Sequence, residues 1–329
     1  MKIAPFNEDT MHINQFHKTF FRNNNYQTFD LTSLIQSLTG YLFLNLVENN
    51  NTHKKLDKCT IDNTKYYILN GTYIVPYANQ LIMNPLANGL MLDTTWTILN
   101  KYVTSIPTVV IQNVGIPIGM SFALVEDSSI YNEFFFNFAN VFGFEIPEFL
   151  DIVESDQGKA LVKAVKENDM THLCCLCHLL VSFGRKKYSY QIGNLVTATT
   201  NDEYHKLRTE YEESWSAIDD AKDIRKINHL LKKIGHCYEN GVIKINNDER
   251  WLQVSMQFRP LYAMPSCTNQ IESSHGHLNE LTPRKNVLWS SLHRIIKEIL
   301  NKRHRFEENF KHNYRRYKTK IKCENKSTS

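Results

Sequence analysis

The sequence lacks long apolar runs and an apolar N-terminal segment. No stretch reaches about 18 uninterrupted apolar residues, which a membrane-spanning helix needs, and residues 1–15 are too polar for a signal peptide. Seven cysteines in 329 residues, three of them crowded between positions 174 and 177, do not resemble a secreted disulfide framework. We therefore expect no membrane span and a reducing compartment, the cytoplasm or the nucleus.

Internal repeats and low-complexity tracts are also missing, which argues against a solenoid or a disordered linker protein. Hydrophobic residues make up 42% of the chain and aromatic residues 12%, enough for a globular core. A chain of 329 residues accommodates one large domain with an insertion, or two to three modules.

The net charge of +4 is small but unevenly placed. Residues 301–329 form a basic C-terminal tail in which only Glu307 and Glu308 oppose the cations between Lys302 and Lys322. Those cations include Arg303, Arg305, Lys311, Arg315, Arg316, Lys318 and Lys320. Such a run fits either a nucleic-acid contact or an ordinary solvated helix face.

The N-terminal region, residues 1–84, offers one clear pattern and no evident role. Residues 65–75 alternate around Asn70-Gly71. Asn-Gly readily supplies the two positive-φ residues of a type I′ turn, so the pattern predicts a β-hairpin here.

The pattern from residue 85 to 185 predicts an α/β unit. Three consecutive strands are expected at 90–98, 108–112 and 116–124, with Pro117 placing the third at a sheet edge. A helix, a strand at 149–153, a second helix at 157–167 and a final strand from residue 171 complete the order βββαβαβ. That is the order of a ribonuclease-H-like mixed five-stranded sheet, in which the first and fourth strands are neighbours.

The remaining segments divide by periodicity. Residues 186–266 carry helical apolar stripes and predict an all-helical insertion. Residues 267–300 are expected to return to the α/β unit through a helix capped by Thr268, followed by a long helix opened by Pro283.

Three acids stand where two-metal phosphoryl-transfer chemistry needs them. Asp93 and Asp156 end apolar runs on strands that should be adjacent, and Glu272 lies in a first helical turn. Alone, each fits a turn, cap or macrodipole position equally well. Together, unpaired neighbouring carboxylates would repel, and a pair of Mg²⁺ or Mn²⁺ ions about 3.5–4 Å apart would offset that repulsion.

The motifs Leu-Met-Leu-Asp93-Thr-Thr-Trp, Glu-Ser-Asp156-Gln-Gly-Lys and Gln-Ile-Glu272-Ser-Ser-His resemble the catalytic domain of Mutator-like (MULE) DDE transposases. Cys175-Leu-Cys-His178 is similar to the Cys-x-x-His motif of that family. The resemblance covers roughly residues 85–300. It implies that Asp93, Asp156 and Glu272 are catalytic metal ligands for two Mg²⁺ or Mn²⁺ ions, whereas the role of Cys175 and His178 stays open. It further implies a nuclear, multimeric enzyme that cleaves and joins transposon-end and target DNA.

Several neighbouring residues leave alternatives open. Asp151, Glu154, Glu126 and Asp127 compete with Asp156 as site acids. Cys174, Cys175, Cys177 and His178 could bind zinc with His236 and Cys237, although packing beside the site is favoured because the spacing fits no common finger. Trp96 is expected in the core rather than as a base-stacking platform.

The family usually carries an N-terminal zinc-binding recognition module. Before residue 90 the candidate ligands are His12, His17, His53 and Cys59 alone. The alternative hypothesis is therefore a fragment, or a decayed or co-opted copy: a catalytically silent nuclear protein that still binds DNA.

Overall fold

The computed structural model describes residues 10–16, 37–48, 57–61, 64–99, 101–112, 114–156, 158–185, 187–259, 264, 278, 280, 291–292 and 294–301. The strands are β1 Thr10–Phe16, β2 Ser37–Glu48, β3 Lys58–Ile61, β4 Thr64–Ile74, β5 Ala87–Leu92, β6 Thr94–Leu99, β7 Tyr102–Ser105, β8 Thr108–Ile111, β9 Val114–Pro117, β10 Gly119–Ala123, β11 Ile152–Ser155, β12 Thr171–Cys174, β13 His236–Glu239 and β14 Val242–Ile245. The helices are α1 Ala78–Ile82, α2 Ser129–Phe142, α3 Lys159–Glu167, α4 Leu176–Phe183, α5 Ser189–Thr197, α6 Asn201–Ser216, α7 Ala221–Leu231 and α8 Asp248–Val254. Residues 294–301 are helical as well.

A mixed five-stranded sheet lies at the centre of the α/β unit. Its strand order is β12-β11-β5-β8-β9. β11 runs parallel to both β5 and β12, whereas β8 is antiparallel to β5 and β9 is antiparallel to β8. The mixed five-stranded sheet is therefore confirmed. The strand that precedes Asp93 is central and pairs with the strand that precedes Asp156.

Three extended stretches of this unit are each divided between two sheets. Two of them contain the predicted strands 90–98 and 116–124, whereas the predicted strand 108–112 corresponds to β8 alone. β5 continues as β6, β7 continues as β8, and β9 continues as β10, with breaks at Asp93, Ile106–Pro107 and Ile118. β6, β7 and β10 belong to a seven-stranded sheet of order β1-β2-β4-β10-β7-β6, in which β3 pairs with β4. Asp93 thus lies where the chain crosses from one sheet to the other.

Pro117 has the effect predicted from its missing backbone donor, but only over half of its strand. β9, which ends at Pro117, is at the edge of the five-stranded sheet. Its continuation β10 is interior, because β10 pairs with β7 on one side and with β4 on the other. Gly119 permits this approach, since a Cβ atom there would lie 2.3 Å from the Tyr73 carbonyl oxygen.

The hairpin predicted at 65–75 is wrong. Residues 64–74 form one continuous strand, β4, which pairs with β2 and β10 on either side. Gly71 is needed here for space rather than for a turn. A Cβ atom at this position would lie 2.6 Å from Phe122 Cζ and 2.8 Å from Leu44 Cδ2. Pairing on both sides outweighs the local turn preference of Asn-Gly.

The all-helical description of residues 186–266 also needs correction. α5, α6, α7 and α8 are present as predicted, but β13 and β14 form an antiparallel hairpin between α7 and α8. Its turn is Asn240-Gly241, and both residues have positive φ, 52° and 81°. Here the same dipeptide does make the two-residue hairpin turn that its chemistry favours.

The described residues form two large hydrophobic cores and one small cluster, which consists of Met91, Val110, Leu173 and Met264. The larger core lies under both sheets and receives Phe134 and Phe138 from α2, together with Leu292, Ile295 and Ile296 from the C-terminal segment. The second core is built by the insertion and includes Trp215, Ile227 and Trp251. α4 packs into the second core through Leu176, Leu179 and Phe183. It therefore joins the insertion to the end of β12.

Among the described residues, no helix is both long enough and apolar enough to cross a lipid bilayer.

Candidate active site

Asp93 and Asp156 follow two neighbouring parallel strands at the same end of the five-stranded sheet. Leu92 pairs with Ser155, so Asp93 and Asp156 are the next residues in register. Adjacent strands are about 4.8 Å apart. Met91 and Glu154 also pair in register, and by strand alternation the two aspartates follow them on one side of the sheet. The structure thus brings together the first two predicted site acids.

The backbone beside each aspartate fixes its carboxylate. The Thr94 amide donates to Asp93 Oδ1 over 2.9 Å, and the Gly158 amide donates to Asp156 Oδ1 over 2.9 Å. Asp93 is only 6% exposed, whereas Asp156 is half-buried. Each amide donates one hydrogen bond to a carboxylate and so fixes the orientation of that side chain.

Glu126 brings a third carboxylate to this end of the sheet. Its Oε1 accepts hydrogen bonds from Thr94 Oγ1 at 3.2 Å and from the Tyr131 hydroxyl at 3.3 Å. A Cβ atom at Gly158 would lie 3.0 Å from Asp156 Oδ1 and 3.6 Å from Glu126 Oε1. Glycine at 158 therefore leaves room for two carboxylates near the start of α3.

The charges of Glu126 and Asp156 both affect the pKa of the Tyr131 hydroxyl. Burial raises the pKa of Tyr131 well above its ordinary value, and the negative charges of Glu126 and Asp156 raise that pKa further, against a hydrogen bond from Thr94. Tyr131 therefore stays protonated and holds Glu126 as a donor. Sequence reasoning treated Glu126 only as an alternative to Asp156, because no local pattern indicated that the end of β10 lies beside Asp93 and Thr94.

The third predicted ligand, Glu272, lies outside the described residues, as do His275 and His277. Within the part of the chain that the structure describes, no group of three His, Cys, Asp or Glu side chains is arranged to hold a metal ion. The described carboxylates nevertheless have the right chemistry, because Mg²⁺ and Mn²⁺ take hard oxygen ligands and retain water. Asp93 and Asp156 can supply part of such a ligand set.

Glu154, a competing acid, has a structural environment. It is fully buried between Met91 and Leu173 on the neighbouring strands. Its Oε1 lies 3.1 Å from Arg259 Nη1, and Arg259 Nη2 donates to the Cys174 carbonyl. Burial raises the pKa of Glu154 to about 7, although Arg259 opposes the shift. Glu154 therefore holds Arg259 against the sheet.

The other two competing acids lie away from the pair of aspartates. Asp151 is exposed and precedes β11, at the opposite end of that strand from Asp156. Asp127 accepts a hydrogen bond of 2.9 Å from the amide of Ser129, the first residue of α2.

Cys175 is connected to the residue before Asp156 by a backbone hydrogen bond, and His178 follows it in α4. Cys175 is buried and precedes α4, and its amide donates to the Ser155 carbonyl over 2.7 Å. His178 is half-buried one turn further along α4. The Cys-x-x-His segment therefore connects the end of β11 to the insertion core.

The zinc alternative that used His236 and Cys237 finds no support in the described residues. No disulfide joins Cys174, Cys175, Cys177 or Cys237. Both ring nitrogens of His236 are hydrogen-bonded: Nε2 lies 2.8 Å from the Tyr204 hydroxyl, and Nδ1 lies 3.1 Å from the Ile234 carbonyl oxygen. The ring also packs against Trp251, with 4.5 Å between the ring centroids. It is a core histidine of the insertion.

His236 makes the insertion sensitive to acid. Burial lowers its pKa to about 4 from the ordinary 6.5. The stability that depends on the neutral ring is therefore present above pH 6.5 and is lost as pH falls toward 4. We expect His236→Gln to lower the free energy of unfolding near neutral pH by about 1–2 kcal/mol and to reduce its further loss on acidification. Urea unfolding of both proteins across this range tests this, and an unchanged acid-dependent loss would contradict it.

The prediction that Trp96 packs in the core is wrong. Its side chain is 55% exposed on β6, three residues after Asp93. β6 is the edge strand of the seven-stranded sheet, so one flank of Trp96 lacks a covering strand.

No known protein-family model matches this chain, and no curated protein is significantly similar to it.

Proposed function

We propose that the chain is a DDE transposase-like enzyme with a ribonuclease-H-like core, which cleaves and transfers DNA strands with Mg²⁺ or Mn²⁺. One observation carries the proposal. Asp93 and Asp156 leave the carboxyl ends of two adjacent parallel strands in register. In open α/β sheets that end is where ligands bind.

The sheet order supports the same proposal. Along the five-stranded sheet the strands occur in the chain order third, second, first, fourth, fifth, and the second strand is antiparallel to the first. This is the order expected of the ribonuclease-H-like arrangement, with the first acid on the central strand. Architecture alone does not assign chemistry, so the acids remain the basis of the proposal.

The residues of the site have distinct tasks. Asp93 and Asp156 would hold the metal ions, with Glu272 as the further ligand that the resemblance implies. Bound ions of this kind activate an attacking hydroxyl and stabilise the leaving oxygen of a phosphodiester. The amides of Thr94 and Gly158 orient the two aspartates. Thr94 and Tyr131 keep Glu126 nearby, which adds negative charge for a cation to offset.

Removing either aspartate should abolish cleavage. We expect Asp93→Asn and Asp156→Asn each to reduce Mn²⁺-dependent nicking of supercoiled DNA by at least about 100-fold, because each change removes a charged ligand from a preorganised site. Gel-based nicking rates at saturating Mn²⁺ measure the effect.

Asp151→Asn is the matched control. It removes the same charge from the opposite, exposed end of the same strand, and nicking should stay within about twofold of the unmodified protein. Equal nicking by Asp93→Asn and the unmodified chain would remove the enzyme proposal.

The second candidate is a catalytically silent, transposase-derived nuclear DNA-binding protein. It is favoured by the sequence before residue 90, where His12, His17, His53 and Cys59 are the only candidate ligands for a zinc-binding recognition module. DNA binding without Mn²⁺-dependent nicking, unchanged in Asp93→Asn, would select this candidate. Under either candidate we propose DNA as the partner, the nucleus as the location and a homo-oligomer as the working form.

A further inference from the structure

A strongly cationic groove begins beside Asp156. It encloses about 750 Å³ between α3 and the end of the insertion, and we call it the α3 groove. Six cationic residues line it: Lys159, Lys163, Lys166, Lys232, Lys233 and Arg250. Glu167 and Glu249 are its acidic residues, so six positive and two negative charges give a formal charge of +4.

Lys163 and Lys166 are placed to support α3, since Lys163 pairs with Glu167 over 3.5 Å and Lys166 is in the last turn, whereas Lys159 is not. Lys159 is in the first turn, where the helix macrodipole favours acids, and that turn contains none. Lys159 and Lys163 are like charges four residues apart, a spacing that destabilises an isolated helix. Both are exposed. The position of Lys159 is better explained by a ligand of opposite charge.

The opposite wall of the groove is also cationic. Lys232 and Lys233 follow α7 in the 3₁₀ turn Lys232–Ile234, and Arg250 comes from α8. Lys166 spans the groove to Glu249 with an ion pair of 2.9 Å. Over the described residues, Lys159 and Lys232 have no ion-pair partner. Lys233 donates to the Ser182 carbonyl over 2.6 Å, so Lys159 and Lys232 are the cations most available to an anion in the groove.

The dimensions favour a chain of phosphates over a single one. Lys159 and Lys166 are seven residues apart, about 10 Å along the helix, which corresponds to about three phosphates of one DNA strand at 3.4 Å along the axis. α3 starts directly after Asp156 and Gly158, so a strand in the groove leads to the paired aspartates.

We propose that the α3 groove binds the phosphodiester backbone of duplex DNA that flanks the phosphate at Asp93 and Asp156. This inference rests on the proposed function for its choice of DNA. It adds a binding surface shared by α3 and the insertion, so the insertion contributes directly to substrate binding.

The test is metal-free DNA binding as a function of salt. Fluorescence anisotropy of a short labelled duplex is measured for the full chain and for Lys159→Gln/Lys163→Gln/Lys232→Gln. Loss of three phosphate contacts should reduce the log–log salt slope by about 2.7 and weaken binding by at least about 10-fold at low salt. Thermal unfolding of the variant checks that it is folded.

The matched control removes three exposed cations elsewhere on the insertion, Lys206→Gln/Lys222→Gln/Arg225→Gln. Its salt slope should change by less than about one. Equal losses in both triple variants, or none in the groove variant, overturn the proposal. So does the absence of DNA binding by the unmodified chain, tighter binding of an RNA duplex of the same sequence, or displacement of the duplex by low inorganic phosphate.

The outcome is separable from that of the proposed enzyme. If Asp93→Asn and the unmodified chain both fail to nick DNA while the groove variant still loses affinity and slope, the groove assignment stands and the enzyme proposal fails. If nicking depends on Asp93 but the groove variant binds DNA normally, the reverse holds.

Discussion

Glu154→Leu is expected to lower the free energy of unfolding by about 3–5 kcal/mol, because it leaves a buried arginine without its carboxylate. Arg259 is 3% exposed and Glu154 is fully buried. An arginine cannot lose its proton in a protein, so the uncompensated charge persists at every accessible pH. Urea unfolding followed by circular dichroism measures the loss.

The reverse change should cost less. After Arg259→Met, Glu154 can become neutral by taking a proton, since burial already raises its pKa to about 7. The double variant Glu154→Leu/Arg259→Met removes both charges and should recover most of the loss, as apolar replacements of buried ion pairs commonly do. A double variant as unstable as Glu154→Leu would show that the pair is not responsible.

Gly119→Ala is expected to destabilise the protein by about 3 kcal/mol through overpacking. The added Cβ would lie 2.3 Å from the Tyr73 carbonyl oxygen and 2.7 Å from Phe134 Cε2. The first of these atoms is backbone, so the junction between β4 and β10 has to shift. Denaturant unfolding measures the loss.

Gly193→Ala is the matched control for that change. Gly193 is inside α5, and its nearest neighbour would be the flexible end of Leu180 at 3.3 Å. Alanine favours a helix over glycine by up to about 1 kcal/mol, which offsets the small crowding. A comparable loss in both glycine variants would indicate that neither the β4–β10 contact nor its close approach matters.

The five-stranded sheet could be predicted because its signals are local. Apolar runs of strand length, Pro117 and the stripe on α2 each depend on residues close in sequence. Asn70-Gly71 and Asn240-Gly241 show that local sequence alone does not determine whether the chain turns. The dipeptides are identical, yet one lies within a strand paired on both sides and the other turns a hairpin, and that difference is set by β2 and β10.

Local sequence pattern also could not predict which of the acidic residues belong to the candidate site. Glu154 and Asp156 are two residues apart on one strand, so periodicity places them on the same side of the sheet. Arg259, distant in sequence, makes Glu154 structural. Glu126 reaches the site only because β10 belongs to the second sheet, and the division of each strand at Asp93, Pro107 and Ile118 has no separate signal in the sequence.

The pairing of β4 with β10 makes residues before 75 part of the same folded body as the aspartates. Without β4, the amides and carbonyls of Gly119–Ala123 on that side would face water, and Phe122 would lose contact with Gly71. An uncovered edge of this kind invites association with other chains. The N-terminal segment therefore shields the sheet that contains β10 from self-association. Its boundary near residue 84 divides the sequence but not the folded unit.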